Sequence, residues 1–321
     1  MNIKLPYPLK QRIKAALNFL RPGNSAAKLE RIAKHVTRSQ LANELCALGV
    51  TYGDALFVHS SMKSLGFVEG GPAAVIGALQ DAVGESGTLV LPTYYLPGGS
   101  IQATCEMKDY VFDPLIHGTN MGALPAALLA TPGVYRSVHP THSVAALGQH
   151  ARYLTEAHHR SPSVFGEGSP WQRFVALAQS KVLGLGVSMG PITFYHLVED
   201  MMGTAFPVHV WLDQTYRMPC IDNLGQQCQV PVRAFDPAIV AQRIDQKGRG
   251  DLRAYFAAEF AHARLKHDGR LGSTTAWTID APAFLNHMMV LARAGITIYS
   301  TPAELAARIV PVPLIYPKAI L

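Results

Sequence analysis

Apolar residues in this chain fall into short blocks separated by glycine, proline and small polar residues. That pattern predicts strands and helices in alternation. Thr37-Arg38-Ser39-Gln40 reads as a capping box ahead of a helix that ends near Gly49. Ala55-Leu56-Phe57-Val58 is a continuous apolar run and predicts a buried strand that ends in His59-Ser60-Ser61. A loop from Met62 to Gly71 follows. Pro72 then opens a helix, as proline does at a first helical turn, and the helix runs through Val83 and stops at Gly84. Gly87-Thr88-Leu89-Val90-Leu91-Pro92 is the next strand. The order strand, loop, helix, strand is a βαβ unit and predicts a parallel pair.

Periodicity fades from Tyr95 to Asn120, which reads as a lid or binding loop. A helix is expected from about Gly122 to Ala130. Val144-Ala145-Ala146-Leu147-Gly148 reads as a short strand, followed by a helix to His159. Ser169-Pro170 starts a helix over Trp171 to Gln179 that feeds a strand at Val182-Leu183-Gly184-Leu185-Gly186-Val187. After Gly203, three segments alternate like antiparallel strands: Val208 to Trp211, Thr215 to Met218, and Gln229 to Val232. Helices are expected around Ala238–Ile244, Leu252–Ala261 and Ala283–Ala294. The fold class read from this pattern is α/β: a mainly parallel central sheet flanked by helices, with a smaller antiparallel and helical C-terminal portion. Residues 1–36 read as a basic N-terminal helical segment and 37–321 as one α/β domain.

The chain has 321 residues, 49% of them hydrophobic, enough for a large core. Charged residues are 16%, which excludes a disordered or coiled-coil protein. The net charge of +6 suggests an anionic partner. Much of that charge lies in residues 1–38, where Leu9 to Leu20 carries Ile13, Leu17 and Leu20 at helical spacing. This stretch reads as a peripheral helix with a solvated basic face, and a weak peripheral contact with an anionic membrane surface is the alternative. No basic cluster is interleaved with aromatics as in single-strand binders, so nucleic acid is not an expected partner. The start lacks a secretory pattern and no apolar run is long enough to span a bilayer. Four scattered cysteines fit no zinc-finger or redox spacing, so a reduced cytoplasmic protein is expected.

Three constellations carry chemistry. Thr193-Phe194-Tyr195-His196-Leu197-Val198-Glu199 follows an apolar strand and opens a helix at a sheet edge, where ligands of open α/β sheets collect. His196 and Glu199 are three apart and share a helix face, and histidine is the side chain best suited to move protons near neutral pH. His59-Ser60-Ser61-Met62-Lys63-Ser64-Leu65-Gly66 offers successive backbone N–H groups, hydroxyls and one lysine, which suit a phosphate-bearing ligand. The plain alternative is a polar connecting loop. Arg136-Ser137-Val138-His139-Pro140-Thr141-His142-Ser143 is a rigid, shaped loop. His139 and His142 could bind metal with His196. No carboxylate sits beside them at a zinc spacing, so no metal is expected and structural histidines are the better reading.

These motifs, in order, resemble the aminoglycoside 3-N-acetyltransferases of the antibiotic N-acetyltransferase type. The resemblance runs from about Ser39 to Glu199 and more weakly to Asp236. It also includes Gly84-Glu85-Ser86-Gly87-Thr88, Phe112-Asp113-Pro114 and Gly166-Glu167-Gly168-Ser169-Pro170. It implies acetyl-coenzyme A as donor (a co-substrate) and an amine of an aminoglycoside or related amino sugar as acceptor. By position, Ser60, Ser61, Lys63, Ser64, Leu65 and Gly66 would hold the coenzyme with Ser137, His139 and Pro140. The family's catalytic histidine falls on His196, and a positioning carboxylate would fall on Asp236. Asp109 and Tyr94 would belong to the acceptor pocket. Two departures stand out: Ile192 where the family has asparagine, and Ala234 where a second acid is expected. Aminoglycosides are polycations whose pockets need several carboxylates. An amino sugar carried on an anionic nucleotide is therefore the other acceptor chemistry to consider.

The mechanism implied is direct attack of the amine on the thioester. His196 would be the general base, with Asp236 or Glu199 as its orienter. Backbone N–H groups of the Ser60–Lys63 loop, or the Thr193 hydroxyl, would stabilise the oxyanion. Two other classes compete. A histidine-dependent or metal-assisted amide or ester hydrolase would lose activity to chelators if it used a metal. A non-catalytic sugar- or nucleotide-binding module would bind acyl-coenzyme A weakly or not at all.

Overall fold

The computed structural model describes residues 35–307. The basic segment read as a helix over Leu9 to Leu20 lies outside the described residues. In chain order the elements begin with α1 (Arg38–Ala47), β1 (Ala55–Ser60), α2 (Gly71–Val83) and β2 (Thr88–Pro92). Next come α3 (Ile101–Cys105), α4 (Ala123–Leu129), β3 (Tyr135–Arg136), β4 (Val144–Gly148), α5 (Ala151–Thr155), α6 (Pro170–Val175) and β5 (Ser180–Leu185). The C-terminal part holds α7 (Tyr195–Met202), β6 (Trp211–Ile221), β7 (Gln227–Phe235), α8 (Pro237–Val240), α9 (Gly250–His262), β8 (Lys266–Leu271), β9 (Thr274–Asp280), α10 (Ala281–Arg293) and α11 (Pro302–Ala306).

Seven strands form one sheet in the order β3-β4-β2-β1-β5-β9-β8. Its centre is the parallel trio β2-β1-β5, with Phe57 opposite both Val90 and Val182. Antiparallel strands complete both flanks. The expected α/β class holds, and β2 pairs parallel with β1 as the βαβ unit required. Strand side chains alternate between faces, so β1 feeds two cores. Ala55 and Phe57 join Trp171, Phe174, Phe194 and Phe284 on one side. Leu56 and Val58 join Leu41, Leu45, Val75 and Leu79 from α1 and α2 on the other. Helices therefore cover both faces, as a parallel sheet centre needs.

Several local readings are refined. Thr37 caps α1 by accepting the Gln40 N–H at 3.2 Å, but the Gln40 side chain bonds Glu44 rather than returning to the cap. Only half of the capping box forms. The segments Val208–Trp211 and Thr215–Met218 are not two strands: β6 is one long strand that starts at Trp211, with a register shift between Trp211 and Thr215. It pairs with β7 as a separate two-stranded sheet. The β8–β9 hairpin was not foreseen. β8 is a polar edge strand, so it lacks an apolar signature, and β9 docks on β5 by long-range pairing. The Trp277 ring lies across Gly184, where a Cβ would come within 2.2 Å of it, so the strand needs glycine there.

The irregular segment 95–120 is tied to the sheet rather than loose. Buried Arg136 donates to the carbonyls of Thr93 (2.6 Å) and Gly118 (2.9 Å) and also to that of His117. Burial lowers its pKa to about 10, which leaves it charged at neutral pH. Phe112 bridges to β6, with its N–H on Pro219 O at 3.0 Å. Among the described residues no helix is long and apolar enough to cross a membrane.

Candidate active site

The parallel strands β2, β1 and β5 end on one edge of the sheet, at Pro92, Ser60 and Leu185. The segments leaving that edge carry Tyr94, the Ser60–Gly66 loop and the approach to α7. Residues 186–194 intervene between β5 and α7, so the helix opens later than the sequence reading placed it. Tyr195, Leu197, Val198 and Met202 face the core, which turns His196 towards the edge of the sheet.

His196 and Glu199 form a close pair. The imidazole Nδ1 lies 3.0 Å from each carboxylate oxygen. The Tyr299 hydroxyl donates to Glu199 Oε1 at 2.7 Å. The histidine side chain keeps 12% exposure, whereas that of the glutamate keeps 1%. A buried carboxylate needs donors, and here the imidazole N–H and a phenol supply them. An ionised Glu199 accepts the Nδ1–H, which leaves the Nε2 lone pair for whatever occupies the site.

His196 lines a cavity of about 240 Å³. Tyr94, His142, Phe165, Thr193, Phe235 and Ile298 are among the other walls. The charged side chains of the lining, apart from the histidines, are Arg243 and Asp245, joined by two bonds of 2.8 and 2.7 Å. Burial acts to lower the Arg243 pKa, but bonding to Asp245 outweighs it and the net shift is upward. A larger cleft of about 740 Å³ runs past Leu115, Arg152, Arg160 and Leu224. It holds none of the expected catalytic residues, whereas His196 and Thr193 line the smaller cavity.

The remaining expected residues divide. Thr193 lines the cavity, and its hydroxyl accepts the Trp171 indole N–H at 2.9 Å. Tyr94 also lines it, with a buried hydroxyl that makes no hydrogen bond of ordinary geometry, beside the Thr193 side chain. The Ser60–Gly66 loop is presented at the surface, with Lys63, Ser64 and Gly66 exposed and Leu65 anchoring it in the core. Ser61 and Ser64 hydroxyls meet at 2.9 Å, and the Ser61 N–H is held by Leu185 O at 2.8 Å. That amide is therefore not available to an oxyanion.

Five of the expected residues lie away from the cavity lining. The side chains of Ser137 and His139 are buried and bonded within the protein. Ser137 is fully buried, with its hydroxyl 2.9 Å from His158 Nδ1 and accepting the Val144 N–H at 2.9 Å. His139 is buried, stacked on His158 at 4.5 Å, and its Nδ1 accepts the His142 N–H at 3.0 Å. Pro140 is buried, and its carbonyl accepts the Tyr110 hydroxyl at 3.0 Å. Of the three, His139 packs against the cavity wall, with its ring 5.6 Å from that of His142. Asp236 does not orient His196: it caps α8, accepting the Ala238 N–H at 2.8 Å. Asp109 is exposed and is not part of the cavity lining. Tyr299, Arg243 and Asp245 were missed because nothing local marks residues that return to a site from far along the chain.

A family model described as aminoglycoside 3-N-acetyltransferase matches residues 57–292. Aminoglycoside N(3)-acetyltransferase III of Salmonella sp is 31% identical over 255 residues, 76% of this chain and 87% of the relative. Aminoglycoside N(3)-acetyltransferase VII of Streptomyces paromomycinus is 40% identical over 186 residues, 54% of this chain and 64% of the relative. A solved structure of AAC-IIIb in a binary complex with CoASH is similar with a TM-score of 0.68 at 27% identity. That similarity covers 84% of this chain and 100% of the other.

Proposed function

The chain belongs to the aminoglycoside 3-N-acetyltransferase family, and from that premise we propose that it moves an acetyl group from acetyl-coenzyme A to an amine of an aminoglycoside or related amino sugar, with His196 as general base. The observation that carries this reading is the His196–Glu199 pair: an accessible imidazole on a cavity wall, held at Nδ1 by a sealed carboxylate.

An amine near neutral pH is mostly protonated, and the free base must lose a proton as it attacks. The amine nitrogen attacks the thioester carbon, forming a C–N bond as the carbonyl electron pair moves onto oxygen. His196 Nε2 accepts the amine proton, and Glu199 stabilises the imidazolium through Nδ1–H. The C=O bond re-forms, the C–S bond breaks, and the leaving thiolate takes the proton from His196. No acyl-enzyme is needed. Acetyl-coenzyme A supplies the activated acyl group. The exposed Lys63 and Ser64, with the half-buried hydroxyls of Ser60 and Ser61, are the residues of this chain that fit its phosphates. The CoASH complex of AAC-IIIb supports the same donor.

The acceptor wall carries one acid, Asp245, already neutralised by Arg243. That favours an acceptor of low positive charge among the amino sugars. The test is a thiol-release assay with acetyl-coenzyme A against aminoglycosides and nucleotide-linked amino sugars, with product mass measured. His196→Ala should lower turnover by about 10²–10⁴-fold while coenzyme binding is retained. An unchanged turnover number would remove His196 from the reaction.

A further inference from the structure

We propose that His142 is a second catalytic residue, a neutral imidazole whose Nε2–H donates to the thioester carbonyl oxygen as negative charge builds there. The inference rests on the acetyl-transfer reading above and adds to it the electrophilic half of the site.

His142 lines the same cavity as His196. Its ring is held edge-on to Tyr94 at 4.7 Å and to Phe165 at 5.1 Å. Phe165 also packs on His196 at 5.1 Å, so one aromatic ring sets the spacing of the two imidazoles.

The tautomer follows from the bonds at the other nitrogen. His139 Nδ1 already accepts two backbone N–H groups, from His142 at 3.0 Å and Thr141 at 3.3 Å. The buried Thr141 hydroxyl has to place its proton on one of two ring nitrogens: His142 Nδ1 at 2.8 Å or the occupied His139 Nδ1 at 3.4 Å. It goes to His142. The lone pair of His142 is then on Nδ1 and its proton on Nε2. Burial, reinforced by His196, His158 and Arg243, holds the His142 pKa well below the ordinary histidine value. A group that stays neutral donates without surrendering its proton, which suits stabilisation of an oxyanion rather than general acid chemistry. No proton leaves His142: the oxygen gains and loses charge while the amine proton passes through His196. The Ser61 N–H, bound to Leu185 O, is removed from this role.

The test compares His142→Ala, His142→Gln and His196→Ala in steady-state thiol release, with circular dichroism and a pH profile for each. His142→Ala should lower kcat by about 10²–10³-fold, the usual loss of one oxyanion donor. KM for acetyl-coenzyme A and the shape of the pH profile should both stay in place. His142→Gln places an amide N–H near the Nε2 position and should recover about tenfold of that loss. If His142→Ala fails to fold, Thr141→Val, which frees the tautomer, should lower kcat with KM unchanged. Turnover of His142→Ala within about threefold of the parent would overturn the proposal. So would equal impairment of the Ala and Gln variants, or an unaffected Thr141→Val where the alanine variant is unfolded. If His196→Ala is impaired and His142→Ala is not, this inference alone fails. If His196→Ala is fully active, the general-base reading fails instead.

Discussion

Replacing Glu199 by glutamine keeps the shape of the buried side chain and removes its charge. The carboxylate oxygens sit 3.0 Å from His196 Nδ1. At an effective dielectric of about 20, a charge pair at that separation is worth at most about 5 kcal/mol. Since each ~1.4 kcal/mol is tenfold in rate, loss of imidazolium stabilisation alone sets a ceiling of about 10⁴-fold. The bonding geometry adds a second effect. Tyr299 donates to Oε1, so the glutamine oxygen would take that position and the amide nitrogen would face Nδ1. An N–H there turns the lone pair to Nδ1 and the ring proton to Nε2, and the base becomes a donor. The same wrong-tautomer change in a serine-protease triad costs about 10⁴-fold. Glu199→Gln should therefore lower kcat by about 10³–10⁴-fold, with KM for acetyl-coenzyme A within about threefold of the parent. Steady-state thiol release measures both. A kcat within about tenfold of the parent would show that the carboxylate does not set the tautomer.

Two further outcomes follow from the same geometry. Gly186 has φ +62°, and a Cβ there would come 2.7 Å from Ser64 Cβ. Gly186→Ala should cost about 1–2 kcal/mol of unfolding free energy. It should also raise KM for acetyl-coenzyme A severalfold with kcat retained, and an unchanged KM would move the coenzyme off this loop. Stability should fall in acid, because burial lowers the pKa of His59 and His158 from 6.5 to about 3, with His139 and His142 shifted the same way. Between those limits the unfolded chain binds protons that the native protein excludes. The contribution is complete above about pH 6.5 and declines towards pH 3, by about 1.4 kcal/mol per pH unit for each histidine. Urea unfolding at about pH 7.5 and pH 5 tests this, and equal free energies at the two values would refute it.

Much of the site was legible locally. The three-residue spacing of His196 and Glu199 places them on one helix face whatever the surrounding fold. The apolar run at Ala55–Val58 and the glycine-rich turn after it required a buried strand that delivers the Ser60–Gly66 loop to an edge. The ordered motifs through Glu199 supplied the family. Position in a motif was a poor guide to contact, though. Ser137 and His139 sit within one of the family-like motifs yet face inward, bonded to His158 and to backbone N–H groups.

The sequence by itself determined the βαβ core and the pairing of His196, the proposed base, with an acid three residues on, because strand alternation and helical spacing act over a few residues. Tertiary structure alone decided which carboxylate orients His196, brought Tyr299 to Glu199 across 100 residues and set the Arg243–Asp245 pair in the acceptor wall. It also added β9 to the sheet beside β5 and sealed His142 into the neutral form. Those outcomes depend on burial and on pairings between distant segments, and desolvation in a packed interior has no signature in the order of residues.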